Sequence, residues 1–110
     1  MRFVLRFADR GKLDLANIRG NPALAKRCKA VEKALGRMEV DLRHQSLNTH
    51  EFDDLSGPND EKVWEAYAEN ATPGAYRIFF CYPGEKTLLT LPNCVQGVRY
   101  LLILAITPHP

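Results

Sequence analysis

Thr72-Pro73-Gly74-Ala75-Tyr76-Arg77-Ile78-Phe79-Phe80-Cys81-Tyr82 reads as a tight turn feeding a strand. Proline at the second turn position and glycine at the third suit a type II turn, whose third position needs a positive φ. The run behind the turn is apolar and aromatic, as a half-buried pleated surface prefers. The turn leads back to another strand-like stretch, residues 63–69. A third such stretch, residues 100–107, is almost wholly aliphatic. Consecutive strands joined by short turns favour antiparallel pairing.

Working back toward the N-terminus, Phe3, Leu5 and Phe7 alternate with Arg2, Val4 and Arg6, which predicts a short strand with period two. Residues 9–19 suit a short helix through Leu15 and Ile18, although Gly11 is a poor helix former. A longer helix follows, with Asn21 as N-cap and Pro22 at the first helical position. Leu24, Cys28, Val31, Leu35 and Met38 recur at steps of four and three, one apolar stripe down that helix. Residues 41–61 have no sustained period, and Ser56-Gly57-Pro58-Asn59-Asp60 is a turn signal. Pro83-Gly84 ends the strand after Arg77, and Thr87–Leu91 suits a fragment of extra strand. The expected fold is α+β: a strand, then one or two helices packed on an antiparallel sheet of about four strands.

At 110 residues the chain fits a single domain, residues 1–110. Its 45% apolar and 25% charged residues are those of an ordinary globular protein. No apolar run approaches the roughly 20 residues of a membrane span, and no secretory signal peptide is visible. Cys28, Cys81 and Cys94 are an odd set without Cys-x-x-Cys spacing, which points to reduced thiols and a cytoplasmic protein. The net charge of +2 is unevenly spread. Residues 1–50 hold eleven Lys/Arg against five Asp/Glu; residues 51–110 hold four against eight. A basic half can attract nucleic acid or an acidic partner, and a solvated helix face explains it equally well.

Strand alternation puts Arg77 on one face with Ala75, Phe79 and Cys81, and Val63, Glu65, Tyr67 and Glu69 on one face of the preceding strand. With agreeing registers, Arg77, Glu65, Tyr67 and Glu69 line one surface, with His109 at its rim. That set holds an acid, a base, a fixed cation and a ring. Cleaving RNA beside a 2′-hydroxyl needs a group to take the 2′ proton, one to protonate the leaving 5′-oxygen, and a cation for the phosphorane. The aromatic ring can hold a base by stacking. A cross-strand ion pair between Arg77 and Glu65 or Glu69 is the plainer alternative, and Trp64 and Tyr67 suit packing as well as stacking. His44 and His50 flank a loop without metal-ligand spacing and read as surface or structural residues. No glycine-rich phosphate loop and no Ser-His-Asp arrangement stands out.

Three stretches carry a family resemblance: Arg43-His44-Gln45-Ser46-Leu47-Asn48-Thr49-His50 leading to Leu55-Ser56-Gly57, then Gly74-Ala75-Tyr76-Arg77-Ile78-Phe79-Phe80, then Ile103-Leu104-Ala105-Ile106-Thr107-Pro108-His109. In their order the chain resembles the RelE/ParE superfamily of toxins from type II toxin–antitoxin systems. An uncharacterised RelE-like subgroup is more similar still, through Asn48-Thr49-His50 and Thr107-Pro108-His109. The resemblance implies two helices on an antiparallel sheet and a cognate antitoxin that wraps the toxin. Its RelE-type members cut mRNA in the ribosomal A site, and its ParE-type members inhibit DNA gyrase. By position, Arg77 matches the arginine that stabilises the scissile phosphate, and His109 the terminal histidine that some members use as general acid. Glu65 or Glu69 is then the candidate base. Lys26, Lys29, Lys33 and Arg37, with Tyr67, are the candidate RNA contacts. Neither metal nor organic cofactor is expected, because the 2′-hydroxyl is itself the nucleophile. RelE carries lysines where this chain has Glu65, Tyr67 and Glu69. Residues 86–99 exceed the family's usual hairpin. The altered strand favours the alternative of a non-catalytic protein of the same fold, a gyrase inhibitor or a degenerate toxin that only binds an antitoxin.

Overall fold

Strand β5 (Tyr100–Pro108) lies between β1 (Val4–Phe7) and β4 (Tyr76–Cys81) in a computed structural model that describes residues 2–69 and 73–108. Outside β4 follow β3 (Lys62–Tyr67) and β2 (His50–Ser56), so the sheet order is β1-β5-β4-β3-β2. The three strands expected from residues 63–107 are antiparallel neighbours, β3 and β4 through a short turn and β4 and β5 through the longer segment 82–99 that carries a helix. The sheet has five strands rather than about four, and it is mixed rather than antiparallel. β1 runs parallel to β5, pairing Val4 with Tyr100 and Phe7 with Ile103. The added strand, β2, is a polar edge strand against β3. Its sequence, His-Glu-Phe-Asp-Asp-Leu-Ser, has one apolar residue on its inward face and so lacks the alternation by which strands are read.

Two helices cover one face of the sheet, α1 (Asp9–Arg19) and α2 (Ala25–Val40). Asn21 caps as expected, accepting from the Ala23 amide at 3.0 Å, but it starts a 3-10 turn at Pro22–Leu24 before α2 begins. Val31, Leu35 and Met38 of the apolar stripe are buried against Ala66, Ile78, Phe80, Leu101, Ile103 and Ile106. Leu24 and Cys28, nearer the helix start, are half-buried. Burying about 20 residues of this kind at ~1.5–3 kcal/mol each is the main term holding the layers together.

Gly11, weak as a helix former, lets α1 lie against β5. A β-carbon there would sit 2.4 Å from the Ile103 carbonyl oxygen. That oxygen accepts from the Ala8 amide at 2.9 Å, where β1 ends. Beyond it, Asp14 of α1 accepts from the Ile106 amide at 2.9 Å, so a helix side chain completes the strand edge that β1 leaves open.

Residues 85–90 are helix, α3 (Glu85–Thr90), where an extra strand fragment was expected. Glu61, in the turn between β2 and β3, decides the matter. Its carboxylate accepts from the Gly84 amide at 2.9 Å, from the Asn59 amide at 2.8 Å and from the Thr87 hydroxyl. Burial pushes this carboxyl up, but the Thr87, Gly84 and Asn59 donors outweigh it and hold it at about 2. An acceptor there fixes the first turn of α3, which a short apolar run cannot signal by periodicity.

Two predictions follow from these contacts. Gly11→Ala lowers unfolding stability by ~1–3 kcal/mol, because a backbone carbonyl cannot move aside cheaply. Gly36→Ala, in α2 with no atom within 4 Å of the added carbon, raises it by ~0.5–1 kcal/mol. Urea melts of the two variants give opposite signs; equal signs contradict the packing described. For Glu61, whose folded pKa lies below the ordinary 4.5, the stabilisation is whole above pH 4.5 and fades as pH falls toward 2. Glu61→Gln therefore flattens the acid limb of a stability–pH profile within that window, by a modest amount because the group is partly exposed.

Candidate active site

The sheet face turned away from α1 and α2 carries His50, Glu65, Tyr67 and Arg77. Cross-strand register assembles them. His50 on β2 faces Glu65 on β3, and Tyr67 on β3 faces Arg77 on β4, with Thr107 of β5 on Arg77's other side. Beside them on the same face Phe52, Val63, Phe79 and Ala105 form a small apolar cluster.

Glu65 is only 1% exposed. Its Oε1 lies 2.6 Å from His50 Nε2, and its Oε2 lies 4.0 Å from Arg77 Nε. His50 Nδ1 is 2.8 Å from the Asn48 carbonyl, held there by the left-handed backbone of Asn48 at φ 43°. Both ring nitrogens therefore face oxygen acceptors, which sets the ring's orientation as a carboxylate sets an active-site histidine. The ring meets Tyr67 edge-on with centroids 5.6 Å apart. The histidine is the accessible member of the pair, its side chain 42% exposed.

Arg77 is 8% exposed, with its guanidinium carbon 3.8 Å from the Tyr67 ring centroid. Nη1 donates to the Glu69 carbonyl at 2.9 Å. Among the described residues, Nε has no hydrogen-bond acceptor. Stacking on tyrosine and the bonds of Nη1 to the Glu69 and Tyr76 carbonyls fix the plane of the fork; Nε is buried toward Glu65, so Nη2 is the donor left to meet a ligand. The arrangement supplies a permanent cation beside an oriented imidazole and a carboxylate. That is a set able to move a proton next to a developing negative charge.

The structure brings together Arg77, Glu65 and Tyr67 as the alternation predicted, and adds His50, which the sequence reading took for a surface or structural residue. Glu69 is not among them. β3 ends at Tyr67, and the amides of both Ala68 and Glu69 turn to the Tyr76 carbonyl, so the alternation breaks. The Glu69 carboxylate instead accepts from Arg27 of α2 at 3.0 Å and from the Tyr76 amide at 3.2 Å. His109 lies outside the described residues. Lys26, Lys29 and Lys33 are exposed on α2, and Arg37 donates to the Ser46 hydroxyl at 2.7 Å. Because α2 covers the opposite sheet face, this basic row is not continuous with Arg77. Cys81 offers no nucleophile on the Arg77 strand: burial, with the Glu61 charge adding to it, pushes its thiol up to about 12.

Removing the Glu65 carboxylate leaves the Arg77 charge buried without its nearest anion. Glu65→Ala is expected to cost ~3 kcal/mol in a urea melt, whereas Glu51→Ala, in an exposed pair with Lys62, costs ~0–1 kcal/mol. A Glu65 variant as stable as the parent contradicts the assignment of this carboxylate as the centre of the cluster.

No family model matches the chain, and no curated protein matches it in sequence. One solved structure is similar across its length, the YoeB dimer from Staphylococcus aureus. It covers 100% of both chains with a TM-score of 0.56 and 13% sequence identity. At that identity the likeness concerns the fold, and the chain shares the fold of YoeB, a RelE-superfamily toxin.

Proposed function

We propose that this chain is a RelE-like toxin of a type II toxin–antitoxin system that cleaves mRNA on the ribosome and is silenced by a cognate antitoxin. The observation that carries this reading is the convergence of Arg77, Glu65, His50 and Tyr67 on the open face of a sheet shared in fold with a toxin of that superfamily. In this reaction the 2′-oxygen attacks phosphorus and the bond from phosphorus to the 5′-oxygen breaks. The 2′ proton passes to the Glu65 carboxylate, the candidate base, which His50 and Arg77 hold in place. Nη2 of Arg77 stabilises the phosphorane oxygens, and His109 protonates the leaving 5′-oxygen. The products are a 2′,3′-cyclic phosphate and a 5′-hydroxyl end. No metal or organic cofactor enters, since the substrate supplies the nucleophile. The protein then works in the cytoplasm, with ribosome and mRNA as its targets.

A second reading is favoured by the edge strand. Glu51, Asp53 and Asp54 are exposed along β2, beside the cluster, and acidic groups repel an RNA backbone. A non-catalytic protein of the same fold, acting on gyrase or only binding an antitoxin, meets that objection.

Induced expression, with 5′ ends of mRNA mapped on translating ribosomes, separates the readings. A working nuclease arrests growth and leaves A-site cuts bearing 5′-hydroxyls. Arg77→Gln lowers cutting by about 10²-fold or more, and His50→Gln by about 10²-fold. Arrest without cuts supports the second reading, and the absence of both cuts and arrest sinks the active toxin.

A further inference from the structure

On the sheet face opposite Arg77, at the end of α2, lies a groove of about 650 Å³. Separate parts of the chain build it: Phe3 before β1, Asp41 and Arg43 after α2, Trp64 of β3, Tyr82 after β4 and Arg99 before β5. The rings form its walls. Tyr82 lies 6.1 Å from Phe3 and meets Trp64 edge-on at 6.3 Å. The Arg99 guanidinium stands 4.6 Å over the Phe3 ring. Arg43 and Arg99 make no ion pair among the described residues. Both act on the same phenol. Burial pushes the Tyr82 hydroxyl up, and the charges of Arg99 and Arg43 pull it down. Tyr82 is nonetheless 45% exposed, so the ring is open to a ligand.

A volume in the range of about 300–1,000 Å³ suits a small ligand rather than a docked helix. The half-exposed Tyr82 ring, met edge-on by Trp64, offers a flat face to a planar group, and Arg43 and Arg99, without ion pairs among the described residues, call for an anion, most of all phosphate. Asp41 selects further. It repels the second carboxylate of an acidic peptide but accepts from a base amino group or a ribose hydroxyl. We infer that the groove binds a nucleoside monophosphate unit, with its base against Trp64 and Tyr82 and its phosphate on Arg43 and Arg99. The unit is a free nucleotide or the phosphorylated end of an RNA strand.

Trp64 is the one tryptophan in the chain, so its fluorescence reports base stacking at this place directly. The full chain is titrated with AMP, GMP, CMP and UMP, with adenosine, with inorganic phosphate, and with a short oligoadenylate bearing a 5′-phosphate. Calorimetry checks the stoichiometry. Saturable quenching is expected with at least one monophosphate, about tenfold weaker with the nucleoside, and absent with phosphate alone. Arg43→Gln and Arg99→Gln each weaken it about tenfold while leaving the melting temperature unchanged, since both side chains are exposed. Arg77→Gln, on the opposite face, leaves it unaltered, so this site stands or falls separately from mRNA cleavage. An oligomer that binds more tightly than the mononucleotide identifies an RNA end, and equal binding identifies the free nucleotide. No saturable quenching, or affinity untouched by both arginine substitutions, overturns the proposal. So does a Glu- and Phe-containing peptide that occupies the groove without competition from nucleotide.

Discussion

Ile103 is where the layers are locked together. Its carbonyl takes the Ala8 amide as β1 ends and lies directly under Gly11. A strand in the middle of a sheet must have both edges hydrogen-bonded, and β1 is too short to serve all of β5. The chain meets the shortfall with α1, which presses down at Gly11 and lends the Asp14 carboxylate to Ile106. The position of the first helix is therefore imposed by the last strand, 92 residues away in sequence.

The same junction sets the open face. Between Phe79 and Phe80 the pairing of β4 with β5 slips, so that Phe80 faces Ile103 while Phe79 faces Ala105. Leu101 and Ile103 point into the helix-side core, but the next residue to do so is Ile106, three positions on. That change of parity keeps Ala105 beside Phe79 and Thr107 beside Arg77. Without it, the outer half of β5 would present the wrong side chains to the cluster.

Much of this was legible in the sequence because strong local signals agreed with the tertiary outcome. The stripe through Val31, Leu35 and Met38 and the alternation around Arg77 each needed only a period. The rest was hidden for identifiable reasons. β2 is mostly polar, with Phe52 its one inward apolar residue, because it is an edge, and edge strands are kept charged to prevent further pairing. α3 depends on Glu61, more than twenty residues earlier. His50 entered only through the Asn48-Thr49-His50 stretch, since nothing local says that it will face a buried glutamate on the strand next to that of Arg77. Glu69 misled because alternation is a property of paired strand, and its pairing stops at Tyr67.

Glu65 then explains why the cluster cannot be a casual surface pair. A carboxylate at 1% exposure is costly unless its oxygens find donors or cations, and the fold surrounds it with His50 and Arg77. Two apolar residues of similar volume would pack that position with less electrostatic cost. That cost is what the proposed active site would require: an imidazole held on a buried carboxylate beside an arginine. If the chain is the nuclease proposed above, the exposed Glu51, Asp53 and Asp54 of β2 repel a free RNA strand approaching along that edge, which would favour mRNA held by the ribosome over free RNA as its substrate.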